Sequence, residues 1–261
     1  DLGASGAAYA TVIGQFVSTV FAILFLKRAN LGFTFHRHNF KPIKQIIGEI
    51  FLVGGPIAVQ DGLIQISFMI ITVIANMRGL TDAASVGIVE KIISFMFLVP
   101  SALLSSISAI TAQNMGAGKI KRANTSLRYG LIFVVSYGLV MAFICQLIPQ
   151  NVVSIFTRDE AVMAAGARYL MSYSFDTAIA GIHFCFSGYF TGRGKSIVSF
   201  IHNMLSVILV RIPGAYLASM WFPEDLFPMG MAAPLGSALS AAICIGFYMV
   251  IKKNDKKSSY L

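Results

Sequence analysis

The side chains of this chain that could do chemistry are charged and polar groups set within long apolar segments. Five charged residues lie well inside such segments: Asp61, Glu90, Lys91, Asp176 and Arg211. A charge at the centre of a bilayer costs at least about 2.5 to 3.5 kcal/mol on insertion scales, so charges that persist there tend to line cavities or ion pathways. The carboxylates could bind a cation or carry a proton.

Spacing along the sequence relates several of these residues. Asp176 and His183 are seven residues apart, which on one helix places both on nearly the same face, two turns apart. We expect that face to point into the protein, where His183 could equally be an ordinary core histidine bonded to a neighbouring carbonyl. Glu90 and Lys91 are adjacent and project about 100° apart, so they cannot share one partner.

Arg211 and Asp61 raise two further expectations. Arg211 should pair with one of the acids, because an unpaired guanidinium is hard to sustain in lipid. Asp61 follows Pro56 by five residues, and a proline ring can open the helix beside it. Gln65 adds a polar group to the same segment. A purely structural role, in which these groups only hold helices together, stays open beside a transport role.

The elements that must position these groups are membrane-spanning helices. Hydrophobic residues make up 56% of the 261-residue chain and charged residues only 12%, which is too apolar for a soluble domain. Seven apolar runs are long enough to cross a bilayer, and they are continuous and not alternating, which favours helices over a barrel. We predict spans at 3–26, 46–75, 86–112, 129–149, 166–190, 197–220 and 233–251.

The distribution of charge between the runs gives an orientation. Lysine and arginine concentrate in alternate connections, namely 27–44, 114–128, 191–196 and the tail after 251, whereas the other connections contain only Arg78 and Arg158. Basic residues are retained on the cytoplasmic side of a membrane, so the tail is predicted to be cytoplasmic. These basic stretches are expected to anchor to headgroups and to perform no substrate chemistry.

Several other classes of function find no support. The formal net charge of +9 could suggest nucleic acid, but the basic residues follow the membrane topology instead. Cys145, Cys185 and Cys244 lie inside apolar runs without metal-ligand or disulfide spacing. No catalytic triad or zinc motif occurs, and Gly192-Arg193-Gly194-Lys195 lacks the spacing of a phosphate loop. We predict no nucleic-acid partner, no cofactor and no enzymatic activity.

Three local patterns carry a family likeness. The first is a turn after a long span, Gln113-Asn114-Met115-Gly116-Ala117-Gly118-Lys119, in which Gly116 and Gly118 would allow positive φ. The second is Gly54-Gly55-Pro56 followed by Asp61, and the third is Tyr173-Ser174-Phe175-Asp176 followed by a turn that ends in Gly192-Arg193-Gly194-Lys195. Together they resemble the multidrug and toxic compound extrusion (MATE) family over nearly the whole chain.

The resemblance implies an all-α integral membrane fold of seven transmembrane helices, the sixth to twelfth of a two-lobe transporter. Residues 1–26 would be the last helix of the amino-terminal lobe, and residues 27–45 a cytoplasmic inter-lobe linker. Residues 46–251 would form the six-helix carboxy-terminal lobe and residues 252–261 a basic cytoplasmic tail. The missing amino-terminal lobe of the same protein would then be a partner of this chain, together with the lipid bilayer.

The resemblance also implies secondary antiport, in which drugs or small amphipathic organic cations leave the cell by alternating access in exchange for H⁺ or Na⁺. In the family an acid of the tenth helix takes part in binding the coupling cation, and Asp176 matches that position, where Na⁺ could bind. Some members carry a glutamate on the seventh helix farther along than Asp61, where this sequence has Ile64-Gln65. The predicted coupling and substrate cavity comprises Asp61, Gln65, Glu90, Lys91, Asp176, His183 and Arg211.

Two alternatives stay open at this point. A lipid-linked oligosaccharide flippase shares the broad superfamily fold and would need a strongly cationic cavity, whereas the basic residues well inside the spans are Lys91 and Arg211, against three acids. A membrane interaction module without transport would follow if the 261 residues were a complete protein.

Overall fold

The computed structural model describes residues 3–28 and 42–258, and every regular element within these ranges is helical. The described helices are α1 (Gly3–Arg28), α2 (Lys44–Arg78), α3 (Leu80–Met96), α4 (Leu98–Gly116), α5 (Ile120–Leu147), α6 (Pro149–Ser154), α7 (Glu160–Tyr173), α8 (Phe175–Gly192), α9 (Ser196–Ser206), α10 (Ile212–Trp221), α11 (Phe227–Gly230) and α12 (Ala232–Ser258), with a π-helical turn (Val207–Arg211) between α9 and α10. The all-α prediction is confirmed.

The chain divides into two compact units, Asp1–Ile47 and Gly48–Leu261. In the first unit the structure describes α1, which is long and apolar. The second unit contains α2 from Gly48 onward and all later helices, and it has its own core. The predicted linker at 27–45 falls largely on residues 29–41, which lie outside the described residues, so the division into lobes, linker and tail stays a prediction.

Six described segments are long and apolar enough to cross a membrane, one fewer than the seven predicted. They are Ala8–Arg28, Lys44–Arg78, Leu80–Gly116, Ile120–Leu147, Ser196–Trp221 and Phe227–Asp255. The predicted span at 166–190 lies on α7 and α8, which are separated at Ser174. The physical reason is that α8 is largely buried among other helices, so its sequence can carry polar residues that a lipid-facing helix could not.

Helix α8 is the centre of the second unit, packed against α4, α5, α9 and α12. Two glycines permit the closest of these approaches. A Cβ at Gly138 of α5 would lie 2.3 Å from Ala178 Cα, and one at Gly188 would lie 2.4 Å from the Leu104 carbonyl oxygen. Small residues at such crossings are how membrane helices pack without a hydrophobic driving force.

Two breaks in helical regularity shape the interior of this unit. Helix α7 ends at Tyr173 and α8 begins at Phe175, with Ser174 between them. The π turn Val207–Arg211 widens the helix two residues before Pro213. Sharp bends in helices occur at prolines and at π turns, and π turns are frequent at functional sites. By contrast α2 runs through Pro56 without a described break, so the expected opening beside Asp61 is not seen.

Side-chain contacts show which connections share an end of the unit. At one end Arg193, after α8, pairs with Asp255 of α12, and Tyr189 donates to Asn124 of α5. At the other end Arg78 donates to the carbonyls of Phe222 and Pro223. Of the connections predicted to be basic, those at 114–128 and 191–196 therefore meet the end of α12 at one end of the second unit.

Candidate functional site

A polar cavity of about 250 Å³ lies inside the second unit where α2, α3, α8, α9 and the π turn converge. Its apolar walls are formed chiefly by phenylalanine and isoleucine side chains. Its polar lining is Gln65, Ser94, Ser101, Tyr173, Asp176, His183, Asn203, Ser206, Arg211 and Ser237. Four residues of the predicted site thus come together here: Gln65, Asp176, His183 and Arg211.

Asp176 is the carboxylate of this cavity. It sits in the first turn of α8, directly after the break at Ser174, and its side chain is only 1% exposed. Ser237 lines the cavity beside this carboxyl group, whose Oδ1 has no hydrogen-bond partner. A buried carboxylate oxygen without a partner is expensive, so this atom is available for a proton or a cation.

Arg211 is the cation of the cavity, and the π turn places it there. Its guanidinium donates a hydrogen bond to the Tyr173 hydroxyl and lies 4.6 Å from the centre of the Phe68 ring. It interacts electrostatically with Asp176 and Glu90. The expected pairing of Arg211 with an acid is therefore wrong in its detail: the direct hydrogen-bond partner is a tyrosine, and the carboxylates act on it through their charge.

His183 lies two turns along α8 from Asp176 and lines the same cavity, with Nδ1 unpartnered. Its ring centre is 5.6 Å from that of His202, a residue that sequence reasoning missed. His202 is fully buried and bonded on both ring nitrogens, to Ser187 Oγ at 2.9 Å and to Ser240 Oγ at 2.6 Å. A histidine within an apolar run was the signal that could have found it.

The other three predicted residues do not line this cavity. Asp61 is exposed on the surface of α2 and Lys91 is exposed on α3. Glu90 is half-buried on α3, where the charges of Arg211 and Lys91 act on its carboxylate and Oε1 has no hydrogen-bond partner. Their expected membership of one cavity with Asp176 is thus not seen within the described unit, because Asp61 lies one helical turn before Gln65, and Glu90 and Lys91 about one turn before Ser94.

Comparison with known proteins decides the family. The family model MatE matches residues 56–217, which span α2 to α10 and include every charged residue of the cavity. The chain belongs to the MatE family. The match covers more than half of the chain, and the resemblance drawn from the three motifs is confirmed.

Relatives of this MatE chain extend over most of its length. It is 21% identical over 98% of its length to the probable multidrug resistance protein YoeA of Bacillus subtilis, of which it covers 56%. It is 26% identical over 79% of its length to the multidrug export protein MepA of Staphylococcus saprophyticus, of which it covers 47%. Human multidrug and toxin extrusion protein 2 is 22% identical over 82% of the chain. The chain spans about half the length of the bacterial relatives.

Solved structures share the fold of the MatE chain. A crystal structure of a MATE protein in complex with MaL6 superposes with a TM-score of 0.86 at 19% identity, covering 96% of this chain and 57% of that one. A transporter of Vibrio cholerae, VcmN, gives a TM-score of 0.84 at 20% identity, covering 97% of this chain and 57% of that one. With its apolar helices, the chain is a multi-pass membrane protein built as a MATE transporter fold.

The motif turn of the MatE chain lies away from the cavity, at the end of α4. Gly118 has a φ of 69°, as predicted, but Gly116 is the last residue of α4 and has no positive φ, so the prediction for it is wrong. Asn114 Nδ2 donates to the Ile110 carbonyl at 2.7 Å, and the Lys119 amide donates to the Asn114 carbonyl at 2.8 Å. Gln113 supplies its carbonyl to the Ala117 amide. These contacts cap the helix and turn the chain into α5.

The described residues contain no cluster of side chains suited to bind a metal ion. Among residues 3–28 and 42–258 no group of three histidine, cysteine or acidic side chains could hold a metal ion. The cavity oxygens of Asp176, Asn203, Ser206 and Ser237 are instead the hard donors that an alkali cation accepts. Chemically, the cavity can hold one proton on a carboxylate or one small cation among oxygens.

Proposed function

We propose that this chain is one lobe of a secondary active transporter that exports drugs or organic cations in exchange for H⁺ or Na⁺, and that Asp176 is the group that takes up and releases the coupling ion. The observation that carries the proposal is the Asp176 carboxyl group, 1% exposed, with an unpartnered Oδ1 in a polar cavity. A carboxylate is kept inside a membrane bundle at a cost, which a coupling role explains.

The size of the cavity separates ion coupling from drug binding. At about 250 Å³ it is smaller than the 300 to 1,000 Å³ of typical ligand pockets, but it holds a cation and a few waters. The drug would bind elsewhere, in the hollow between this lobe and an amino-terminal lobe. Asp61, exposed on α2, is proposed to face that hollow and to attract cationic substrates.

The choice between H⁺ and Na⁺ as coupling ion depends on how many oxygen atoms bind the ion at the same time. A proton needs only the Asp176 carboxylate, whereas Na⁺ needs several oxygens, for which Ser237 and Asn203 line the same cavity. The charge of Arg211 acts on the ionised carboxylate. When an ion binds Asp176 this attraction weakens, and Arg211 on the π turn is free to shift between two arrangements. Such a two-state element is what alternating access requires.

The two alternatives are less well supported. A lipid-linked oligosaccharide flippase would require a strongly cationic cavity, and Arg211 is the single basic residue that lines this cavity within the described ranges, beside one acid. A non-transporting module does not account for a buried carboxylate held without a full set of partners. We place the transporter in the cell membrane, with the basic end that includes the carboxy-terminal helix in the cytoplasm.

The test is made on the complete transporter that contains this lobe, reconstituted in proteoliposomes with a fluorescent cationic dye. Asp176→Asn keeps the size of the side chain and removes its charge. We expect it to abolish dye efflux driven by an imposed proton or sodium gradient, while a Glu224→Gln control in an exposed loop leaves efflux unchanged. Asp61→Asn should weaken dye binding and keep coupling.

Thermal unfolding of each variant separates loss of function from loss of folding. Coupled efflux of normal rate and ion dependence in a folded Asp176→Asn protein would remove Asp176 from the mechanism. If the gradient that drives efflux in the parent protein is sodium alone, the proton arm of the proposal is wrong, and the reverse holds for sodium.

A further inference from the structure

We infer that the basic end of the second unit, between α5 and α12, is a binding site for one anionic phospholipid, with its phosphate headgroup held by lysine and arginine and one acyl chain lying in an adjoining apolar groove. The inference is independent of the proposed ion coupling, because it uses none of the residues of the Asp176 cavity.

The headgroup part is an open pocket of about 570 Å³ at the start of α5 and the end of α12. Four basic side chains line it, Lys119, Lys121, Arg122 and Lys252, together with one acid, Asp255. The Asp255 carboxylate already pairs with Arg193, because both of its oxygens accept hydrogen bonds from that guanidinium, at 2.7 and 2.8 Å. The four cations are therefore uncompensated within the pocket.

The acyl part is a groove of about 620 Å³ that continues from this pocket and shares Asn124 and Lys252 with it. Its floor is Phe186 of α8, whose ring centre lies 5.5 Å from that of Tyr248 on α12. The apolar wall on α5 includes Leu131 and Ile132, and Ile132 is 55% exposed. The groove thus runs along two membrane-spanning helices, and its polar lining residues on α5, among them Arg128, precede Leu131 toward the basic end.

The order of polar and apolar surface identifies the ligand class. Polar cations lie at the helix ends and apolar side chains follow along the same two helices, which is the profile of a phospholipid in its leaflet. A free phosphate or a nucleotide would use the basic pocket and leave the groove empty. Basic pockets between transmembrane helices bind anionic headgroups, at about 1 kcal/mol per basic residue near the surface, or about fivefold in affinity.

The position of the site predicts that a bound lipid stabilises the contact between α8 and α12. The headgroup would lie beside the Arg193–Asp255 pair, which joins the end of α8 to α12. An acyl chain would cover Phe186, one turn beyond His183 on the same helix. A bound anionic lipid should therefore hold the end of α8 and its neighbours together and raise the thermal stability of the protein.

The test compares two double variants that lose the same charge at the same end of the complete protein. Lys121→Gln with Arg122→Gln removes two of the four positive charges that line the pocket. Lys195→Gln with Lys253→Gln is the matched control, because neither residue lines the pocket or the groove. Native mass spectrometry counts retained lipids, and thermal unfolding in detergent is followed with added phosphatidylglycerol, phosphatidylcholine or inorganic phosphate.

We expect phosphatidylglycerol to bind the parent and the control with equal affinity and to stabilise both, and to bind the pocket variant at least tenfold more weakly. Phosphatidylcholine and inorganic phosphate should give little stabilisation. Equal weakening in both double variants would show diffuse attraction to charge and overturn the inference. Stabilisation by inorganic phosphate equal to that by the lipid would overturn it as well, because the apolar groove would then contribute nothing.

Discussion

Arg193 and Asp255 form a bidentate ion pair that joins the end of α8 to α12. The Arg193 side chain is only 7% exposed, and its two Nη atoms bond the two carboxylate oxygens of Asp255. Arg193 also donates to the Tyr189 hydroxyl, which donates to Asn124 of α5. The hydrogen bond to Asp255 is the largest cause that raises the pKa of Arg193 above its usual range. Three helix ends are thus tied by one connected network.

Asp255→Ala is expected to lower the free energy of unfolding by about 1.5 to 3 kcal/mol, because it leaves a nearly buried guanidinium without its charged acceptor. Thermal unfolding in detergent without anionic lipid measures the effect. The double variant Arg193→Leu, Asp255→Leu should recover part of the loss, since no unpaired charge remains. A loss below about 0.5 kcal/mol for Asp255→Ala alone would show that the pair is not what holds these ends.

Gly188→Ala tests the close approach of α8 to α4. The added methyl group would lie 2.4 Å from the Leu104 carbonyl oxygen, so the helices must separate, at a cost of about 1 to 3 kcal/mol. Gly246→Ala on α12 is the matched control, because no atom of another element lies within 4 Å of its added Cβ. The control should be neutral or slightly stabilising, since alanine favours a helix over glycine. Equal melting temperatures for both variants would contradict this packing.

Much of this architecture is readable in the sequence, for reasons that differ between elements. The apolar runs are a one-dimensional signal, so the sequence predicts spans within α2, α5 and α12, and the orientation drawn from the charge alternation stays a prediction. The π turn Val207–Arg211 was not predicted from the Pro213 that follows it, and the break at Ser174 is recorded by no local pattern. This is why the span at 166–190 was expected to be one helix.

For the candidate site too, contacts within one helix were predictable from the sequence and contacts between distant segments were not. Heptad spacing placed Asp176 and His183 on one face, and both line the cavity. Glu90 and Lys91 were grouped with them only because they are charged, and on α3 they lie about one turn before Ser94, which lines the cavity. Tyr173 was missed as the direct partner of Arg211, because the two residues are 38 positions apart and meet only in the folded unit.

Tyr173→Phe tests how Arg211 is held. The substitution removes the hydroxyl that accepts a hydrogen bond from the guanidinium, whose Nε already has no partner. Leaving a further donor of a buried cation unsatisfied should cost about 1 to 3 kcal/mol of stability. Tyr216→Phe, at a residue that is 47% exposed, is the control and should change the melting temperature little. Similar melting temperatures for the Tyr173 variant and the parent would contradict the role assigned to this contact.

Asp225, in the connection between α10 and α11, gives a prediction about pH. Arg168 donates to its carboxylate from Nε at 3.2 Å and from Nη2, and the Phe227 amide donates to Oδ1 at 2.9 Å. The hydrogen bond from Arg168 is the largest cause that holds the pKa of Asp225 below its ordinary value of 3.8. A carboxylate with a depressed pKa in the folded state stabilises the protein above its unfolded pKa, and this stabilisation is lost as the pH falls through the folded pKa.

Asp225→Asn keeps an acceptor for the Phe227 amide and removes the charge that Arg168 binds. The variant should therefore melt below the parent at pH 7 and at pH 5, with nearly the same difference at both. The difference should begin to narrow as the pH falls to the ordinary pKa of 3.8 and should disappear below the lower pKa of the folded state, where the parent carboxylate takes up its proton and becomes equivalent to the amide. The effect is expected to be small and to shrink in high salt, because the pair is solvent-exposed. Glu224→Gln, which removes the neighbouring exposed carboxylate, should show no such pH-dependent difference, and a constant difference for Asp225→Asn at every pH would mean that its charge is not the source of the stability.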